Sequence, residues 1–592
     1  MYRDYIQRRS RAASLALALV LTLVPALQAA PSGVRADALA GLDIEIPATK
    51  FVLRNGLTLI VHEDHSAPLV AVNIWYHVGS KDEPRGKTGF AHLFEHLMFN
   101  GSEHHDDDFF KATQRIGATE QNGTTNADRT NYFQTVPKAA LDSILWLESD
   151  RMGHLLGAVD QAKLDEQRAV VQNEKRQRID NAPYGKALEL IVRGTTPVGH
   201  PYDHLAIGSM ADLEAASLED VRQWFRTYYG PSNAVLVLAG DVTPEEAQAK
   251  VEKYFGDIAP GAPVSGAKSW VLRKTGTVRE TAYDRVAQAR LYRVWNVSDY
   301  ASPDTDYLQF LARLLAGDRN SRLYKRLGIE EQLATTVNAR VDTREIGRQF
   351  MITADVKPGG DIDRVERIVD EELGRLIATG STLAEMAHVR TTTVAGIARS
   401  LESIARKASY LAESETYLGG PEAWKKAFDR FQVAKPGDIQ RVARSWLTDG
   451  DYVLHVLPFG QLSASAAGAD RNSFPTPGAA VAASFPTVER ATLSNGLKLV
   501  VAQRTGVPVV NFTLLLDTGV PEDFARIPPG TGSFAMSLLD EGTERRNREQ
   551  IAETLGLLGA TLQTGGGDET GYVTLSALKP GLGDALALYA EV

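Results

Sequence analysis

Cysteine is absent from all 592 residues. Its absence excludes disulfides, thiolate metal ligands, a cysteine nucleophile and a lipid anchor on cysteine. Basic charge is not in excess either. Lys and Arg number 64 against 74 Asp and Glu, giving a net charge of −10 and a pI near 5.7. No basic stripe interrupts that balance, so nucleic acid is excluded as a partner. With 43% apolar and 23% charged residues, composition leaves no room for general disorder or repeated membrane spans. Histidine is scarce, with 12 in the chain and none after His455.

What is present begins with a leader. MYRDYIQRRSRAAS is basic, ALALVLTLVPAL is apolar and uncharged, and LQAAP offers small residues for cleavage after Ala29. That order describes a secretory signal peptide over residues 1–30. A membrane anchor is the competing reading. The apolar run falls short of the roughly 20 residues that a spanning helix needs, and Pro25 interrupts it. Export to the periplasm or medium is therefore expected, with no stable membrane span after cleavage.

The length predicts several domains. Residues 51–80 read as strand, turn, strand, loop, strand, with Asn55-Gly56 as a hairpin turn. Helical periodicity follows in GFAHLFEHLMF, strands return over 122–136, and a long helical pattern runs from about Leu141 to Asp180. AVLVLAG (234–240) supplies a last strand. Strands and helices in separate runs predict an α+β fold with mostly antiparallel sheets packed with helices. The first such domain spans 45–258. A second, 262–460, repeats the order and carries no metal motif. Residues 461–485 are small, polar and Pro/Gly-bearing, and read as a linker.

From 486 to 592 the chain repeats its own beginning. LSNGLKLVVAQRTGVPVVNFTLLLDTG (493–519) follows the layout of LRNGLTLIVHEDHSAPLVAVNIWYHVG (53–79). Aligned on Gly101 and Gly542, the places of His92, Glu95 and His96 fall on Ser533, Met536 and Ser537. The repeat is degenerate at these positions. It also ends before the equivalent of the first copy's full length, so an incomplete, C-terminally truncated domain is expected.

Those three residues make the motif. In GFAHLFEHLMFNGS, His92 and His96 are four apart and share one helix face, so both imidazoles can reach one ion. Phe90, Leu93, Phe94, Leu97 and Met98 suit burial of the opposite side. Catalytic zinc takes three protein ligands and keeps a fourth position open. The helix LDEQRAVVQNEKRQRID (164–180) offers the third. Glu174 follows Val170-Val171 and shares a face with Val170 and Gln167. A carboxylate on an apolar face needs a partner, which favours Glu174 and leaves Glu166 in reserve. One Zn2+ per chain would then polarise a carbonyl and acidify its water to about 7. Glu95 would be the general base.

The alternative is a helix that happens to carry two histidines. H-x-x-E-H arises by chance in about one or two of a hundred such chains. The matching glutamate and the degenerate second copy favour the metal reading. His104-His105, before Asp106-Asp107-Asp108, reads as solvated surface.

H-x-x-E-H with a glutamate 78 positions after His96 resembles the inverted-motif zinc peptidases of the pitrilysin and insulinase family. TGFAHLFEHLMFNGS, the NGTTNADRTNY run, VVQNEKRQ and the degenerate LLDEGT stretch carry the resemblance. It implies similar halves, each of two α+β domains, closing like a clamshell on a peptide. It implies zinc on His92, His96 and Glu174, Glu95 as catalytic base, and Asn122 as a substrate-backbone contact. Two departures stand out. Gln167 occupies a place where some members carry a further glutamate. The arginine and tyrosine that reach the site come from the family's final domain, and in the second domain Gly328 and Thr335 stand where that pair would fall.

The expected function is an exported zinc endopeptidase acting on extended or unfolded peptides. A non-catalytic peptide-binding subunit or scaffold, needing a partner or further sequence for activity, is the competing class. A homodimer and a heterodimer both stay open. Zinc for structure alone is disfavoured, because structural sites usually have four protein ligands and often cysteine.

Overall fold

The computed structural model describes residues 43–592 apart from 267, 460–487, 504–506, 518–527, 529 and 568. The expected leader and linker lie outside the described residues.

The first unit opens with β1 (Thr49–Val52) and β2 (Thr58–Glu63), joined at Asn55-Gly56. Gly56 has φ +89°, and a Cβ there would lie 2.9 Å from Ser232 Cβ, so the turn admits no side chain. Next come β3 (Leu69–Tyr76), α1 (Phe90–Leu97), α2 (Phe109–Arg115), β4 (Thr119–Thr125) and β5 (Thr130–Pro137). Helices α3 (Leu141–Gly153), α4 (Gln161–Lys175), α5 (Gly185–Thr195) and α6 (Leu218–Tyr228) follow, then β6 (Ala234–Gly240) and α7 (Pro244–Phe255). The strands form one sheet in the order β1-β2-β6-β3-β5-β4. Its pairings are antiparallel except β2 with β6.

The single helical run expected over 141–180 is two helices and a wide terminal turn at Arg176–Asp180. The chain turns after Gly153, and the Asp160 carboxylate caps α4 by accepting the Lys163 N–H at 2.9 Å. Periodicity alone carried across that break.

The second unit repeats the plan. Its strands are β7 (Val278–Asp284), β8 (Arg290–Val297), β9 (Ala334–Val341), β10 (Arg348–Val356) and β11 (Asp451–Pro458), in the order β7-β11-β8-β10-β9. Its longer helices are α8 (Pro303–Ala316), α9 (Ile362–Thr379), α10 (Leu383–Ser400), α11 (Ile404–Leu418), α12 (Trp424–Val433) and α13 (Pro436–Trp446). After the linker, β12 (Val488–Thr492) pairs with β13 (Lys498–Ala502) as β1 pairs with β2. Then come β14 (Val509–Leu516), α14 (Thr531–Ser537), α15 (Arg548–Leu558), β15 (Thr561–Gly566), β16 (Gly571–Leu578) and α16 (Leu582–Glu591). The order β14-β16-β15 mirrors β3-β5-β4. The internal repeat read from the sequence is thus a repeat of topology, and the fold is α+β.

Each of the two large sheets buries both faces. One face of the first sheet packs on its own helices, through Leu59, Val61, Val72, Ile74, Leu93, Phe94 and Leu236. Its other face, with Ile60, Ala71, Trp75, Val237 and Ala239, is covered by Ala408, Leu411 and Ala412 of α11. In return, Ala187 and Ile191 of α5 cover Tyr292, Val294, Tyr452 and Leu454 of the second sheet. Double burial explains why β3 reads as a nearly continuous apolar run.

Candidate metal centre

The centre is built on α1. Its Gly89 N-cap is left-handed at φ +90°, and a Cβ there would meet the Ile207 carbonyl at 2.7 Å. The cap bonds come from a distant carboxylate. Glu83 accepts the Gly89 N–H at 3.0 Å and the Ala91 N–H at 2.7 Å. An anion at that end also favours the helix dipole. His204 Nε2 donates to the same carboxylate at 2.8 Å. Burial pulls the His204 pKa down, but Glu83 and Asp203 overcome it and hold it at about 9. Phe90, Leu93, Phe94, Leu97 and Met98 are buried as predicted, at 0–3% exposure. That fixes the roll of α1 and turns His92 and His96 to the other side.

Helix α4 lies against this side. Leu164 and Val171 are buried whereas Val170, placed by the sequence on the Glu174 face, is 36% exposed, so of the two valines Val171 makes the core contact. The face that meets α1 is Gln167, Val171 and Glu174. Gln167 faces His96 and raises its pKa against the larger effect of burial. Glu166 is exposed and points elsewhere.

His92, His96 and Glu174 come together, with one donor atom from each within 4.8 Å of the others. The two Nε2 atoms each stand 3.7 Å from a Glu174 oxygen, His92 from Oε2 and His96 from Oε1. The imidazoles meet edge to face, centroids 4.8 Å apart at 88°. Bonds of about 2.0–2.2 Å in a tetrahedral array would separate donors by roughly 3.4 Å. The observed spacing is too long for hydrogen bonds and close to that separation. Burial, with His96 and Arg178 adding to it, lowers the His92 pKa to about 3, and His96 is lowered too, chiefly by burial. Both rings are therefore neutral, as ligands must be. Glu174 Oε2 is buried without a hydrogen bond, with Arg178 at 3.4 Å from it. Two neutral imidazoles and one carboxylate facing a common point fit Zn2+.

Glu95 is buried beside this point. Thr125 Oγ donates to its Oε2 at 2.6 Å. Burial pushes the Glu95 pKa up to about 7, against the pull of Thr125 and Arg129. Thr125 closes β4, and Gly123 of the same strand lets the backbone approach. A Cβ on Gly123 would stand 2.8 Å from Phe99 Cζ and 3.2 Å from Glu95 Oε1. Beneath, Glu148 and Arg151 form a buried ion pair, and the guanidinium lies 3.9 Å from the Phe109 ring and 4.3 Å from the Tyr132 ring.

Asn122 lies on β4, the edge strand, and is exposed. Its side-chain oxygen accepts the Gly123 N–H at 2.9 Å. A bulge shifts the register between Thr119 and Asn122. In the repeat, Ser533 donates to the Gly566 carbonyl at 3.1 Å and Met536 is buried. Gly328 and Thr335 sit in the second unit, in the turn Lys325–Glu330 and on β9.

Sequence reasoning missed three supports: Thr125, the Glu83–His204 pair and the site's tight Gly123. Thr125 was within the NGTTNADRT run, but nothing local to Glu83 or His204 signals their meeting.

Two histidines and one carboxylate, brought together by α1 and α4 beside the edge of an α+β sheet, make a candidate metal centre of the inverted-motif kind. Residues 58–197 match the family described as Insulinase (Peptidase family M16), and 215–393 match the Peptidase M16 inactive domain. The chain belongs to this family. It is 28% identical over 416 residues to "Zinc protease PqqE" of Helicobacter pylori, covering 67% of this chain and 89% of that one. A crystal structure of a protease from Helicobacter pylori superposes with a TM-score of 0.66 at 25% identity, over 70% of this chain and 100% of that one. The periplasmic protease PqqL from Escherichia coli shares the fold with a TM-score of 0.59 at 15% identity, over 93% of this chain and 66% of that one. Among the described residues, no helix is long and apolar enough to cross a membrane.

Proposed function

We propose that this chain is an exported zinc-dependent endopeptidase acting on extended, unfolded peptides. The convergence of His92, His96 and Glu174, with a buried Glu95 beside them, carries the reading. His92, His96 and Glu174 would hold the ion. Zinc so held supplies carbonyl polarisation and water acidified to about 7. Glu95, fixed by Thr125, accepts a proton and returns it to the leaving amine. The free side of β4, with Asn122, offers backbone groups to an extended peptide joining the sheet as a further strand. Recognition through backbone bonds demands an unfolded segment and places weak demands on side chains. Export is supported by the leader pattern at residues 1–30 and by likeness to a periplasmic protease.

Intact Glu95 separates a peptidase from a binding subunit, because binding alone needs no base. The test is cleavage of a library of short unstructured peptides by the full chain, read by mass spectrometry. Chelation should abolish cleavage and zinc should restore it. Glu95→Gln should keep zinc and peptide binding while turnover falls by about 10²–10⁴. Undiminished turnover in that variant would remove Glu95 from its role. Zinc and peptide binding without cleavage in the wild type would favour the binding subunit.

A further inference from the structure

A second cluster of metal-type donors lies about the end of α3. Asp150 and His154 are one helical turn apart, and the loop that leaves α1 brings His104 against them. The loop is fixed there by its backbone. The Glu103 N–H donates to the His154 carbonyl at 2.9 Å, and the His104 N–H donates to Asp150 Oδ2 at 3.2 Å. His104 Nδ1 meets Asp150 Oδ1 at 2.6 Å. Glu103 Oε2 lies 3.8 Å from His154 Nδ1.

The geometry repeats that of the first centre. The imidazoles of His104 and His154 meet edge to face with centroids 4.9 Å apart at 84°, against 4.8 Å and 88° for His92 and His96. In both places a carboxylate completes the group, and one donor atom from each residue lies within 4.8 Å of the others. In both places two members stand four residues apart, His92 and His96 on α1, and Asp150 on α3 with His154 at its C-cap. The difference is exposure. Asp150 is buried at 5%, but the side chains of His104 and His154 are 54% and 45% exposed. His104 is exposed, as expected, and is also held on a buried carboxylate.

We propose that His104, Asp150 and His154 form a second divalent-cation site, with Glu103 within reach as a fourth donor. Imidazole donors select a borderline-soft ion such as Zn2+ over Mg2+ or Ca2+. On binding, the cation takes the place of the proton shared by His104 and Asp150, and that proton passes to solvent. Open exposure leaves water in the remaining positions, so this site is weaker than the first. It lies on the loop that follows α1, and the same loop is tied to α4 by the ion pair of Asp106 with Lys163. A cation here pins to α3 the loop that leaves α1 and touches α4.

The test is calorimetric titration of the metal-free full chain with zinc. Two equivalents are expected for the wild type, the second weaker. The His104→Ala/His154→Ala pair should take one equivalent, and the His92→Ala/His96→Ala pair should keep the weaker one. His154→Gln alone should weaken the second equivalent by about tenfold or more, since even outer partners of a ligand cost that much. Both replaced histidines are half-exposed, so folding is not at stake. A wild type that takes only one equivalent overturns the proposal. So does a second equivalent that survives in the His104→Ala/His154→Ala chain. Neither result depends on peptidase activity.

Discussion

Gly123 shows how little space separates the base from the edge strand. Its missing side chain lets β4 rest on the Phe99 ring and beside the Glu95 carboxylate. In Gly123→Ala the added methyl would stand 2.8 Å from Phe99 Cζ, in a wall stiffened by Phe109, Tyr132 and Arg151. The wall cannot give easily, so β4 must move outward and take Thr125 with it. Overpacking of this kind costs about 1–3 kcal/mol. The variant is expected to bind zinc as the wild type does, because no ligand touches Gly123. It should lose stability by that amount and lose peptidase turnover. Thermal denaturation, zinc titration and peptide cleavage together check it. Normal turnover with normal stability would mean that the strand has slack that the contacts do not show.

At the scale of the element, α1 depends on a cap that its own sequence does not contain. Glu83 and His204 lie 121 residues apart and meet at its first turn. His204 has an ordinary value of 6.5 and is held at about 9 in the fold, facing Glu83, Asp203 and the Ser80 carbonyl. A pKa raised on folding gives stability that is full below the unfolded value and is lost as pH rises through the folded one. The chain should therefore lose thermal stability between about pH 6.5 and 9, and His204→Gln should flatten that slope. An unchanged slope in the variant would assign the loss to another group. The same distance explains what the sequence revealed and what it hid. The helix of α1, its buried face, the hairpin at Asn55-Gly56 and the two histidines are local patterns, so they could be read directly. Glu174 was reachable because a carboxylate on an inward face needs a partner. Val170 was misjudged, since Val171 and Gln167 rather than the valine pair meet the core. The break at 154–160 was invisible because periodicity continues across it. That the exposed His104 also meets Asp150 was hidden, because the two lie 46 residues apart along the chain. The Glu83 cap needs a fold before it exists.

The whole molecule is held by an exchange of helices. Helix α11 of the second unit covers the first sheet, and α5 of the first unit covers the second. The site therefore depends on a unit that contributes no ligand to it. Gly194, near the end of α5, marks the closest approach: a Cβ there would lie 2.3 Å from the Tyr452 ring. That ring cannot swing aside freely, because its hydroxyl donates to Glu280 at 2.7 Å and its body is buried among Val294, Leu454 and Val456. Replacing Gly194 by Ala has two opposed effects. Alanine favours a helix over glycine by about 1 kcal/mol, whereas overpacking against a fixed ring costs about 1–3 kcal/mol. With an overlap this deep the second effect wins, and α5 must withdraw from the second sheet. The expected result is earlier unfolding and faster proteolysis between the units, near residues 258–277. The ligands lie on α1 and α4, away from the contact, so zinc affinity should hold while the protein is folded. Differential scanning calorimetry with limited proteolysis checks this. A Gly194→Ala chain that is more stable than the wild type would show that α5 is not seated against Tyr452.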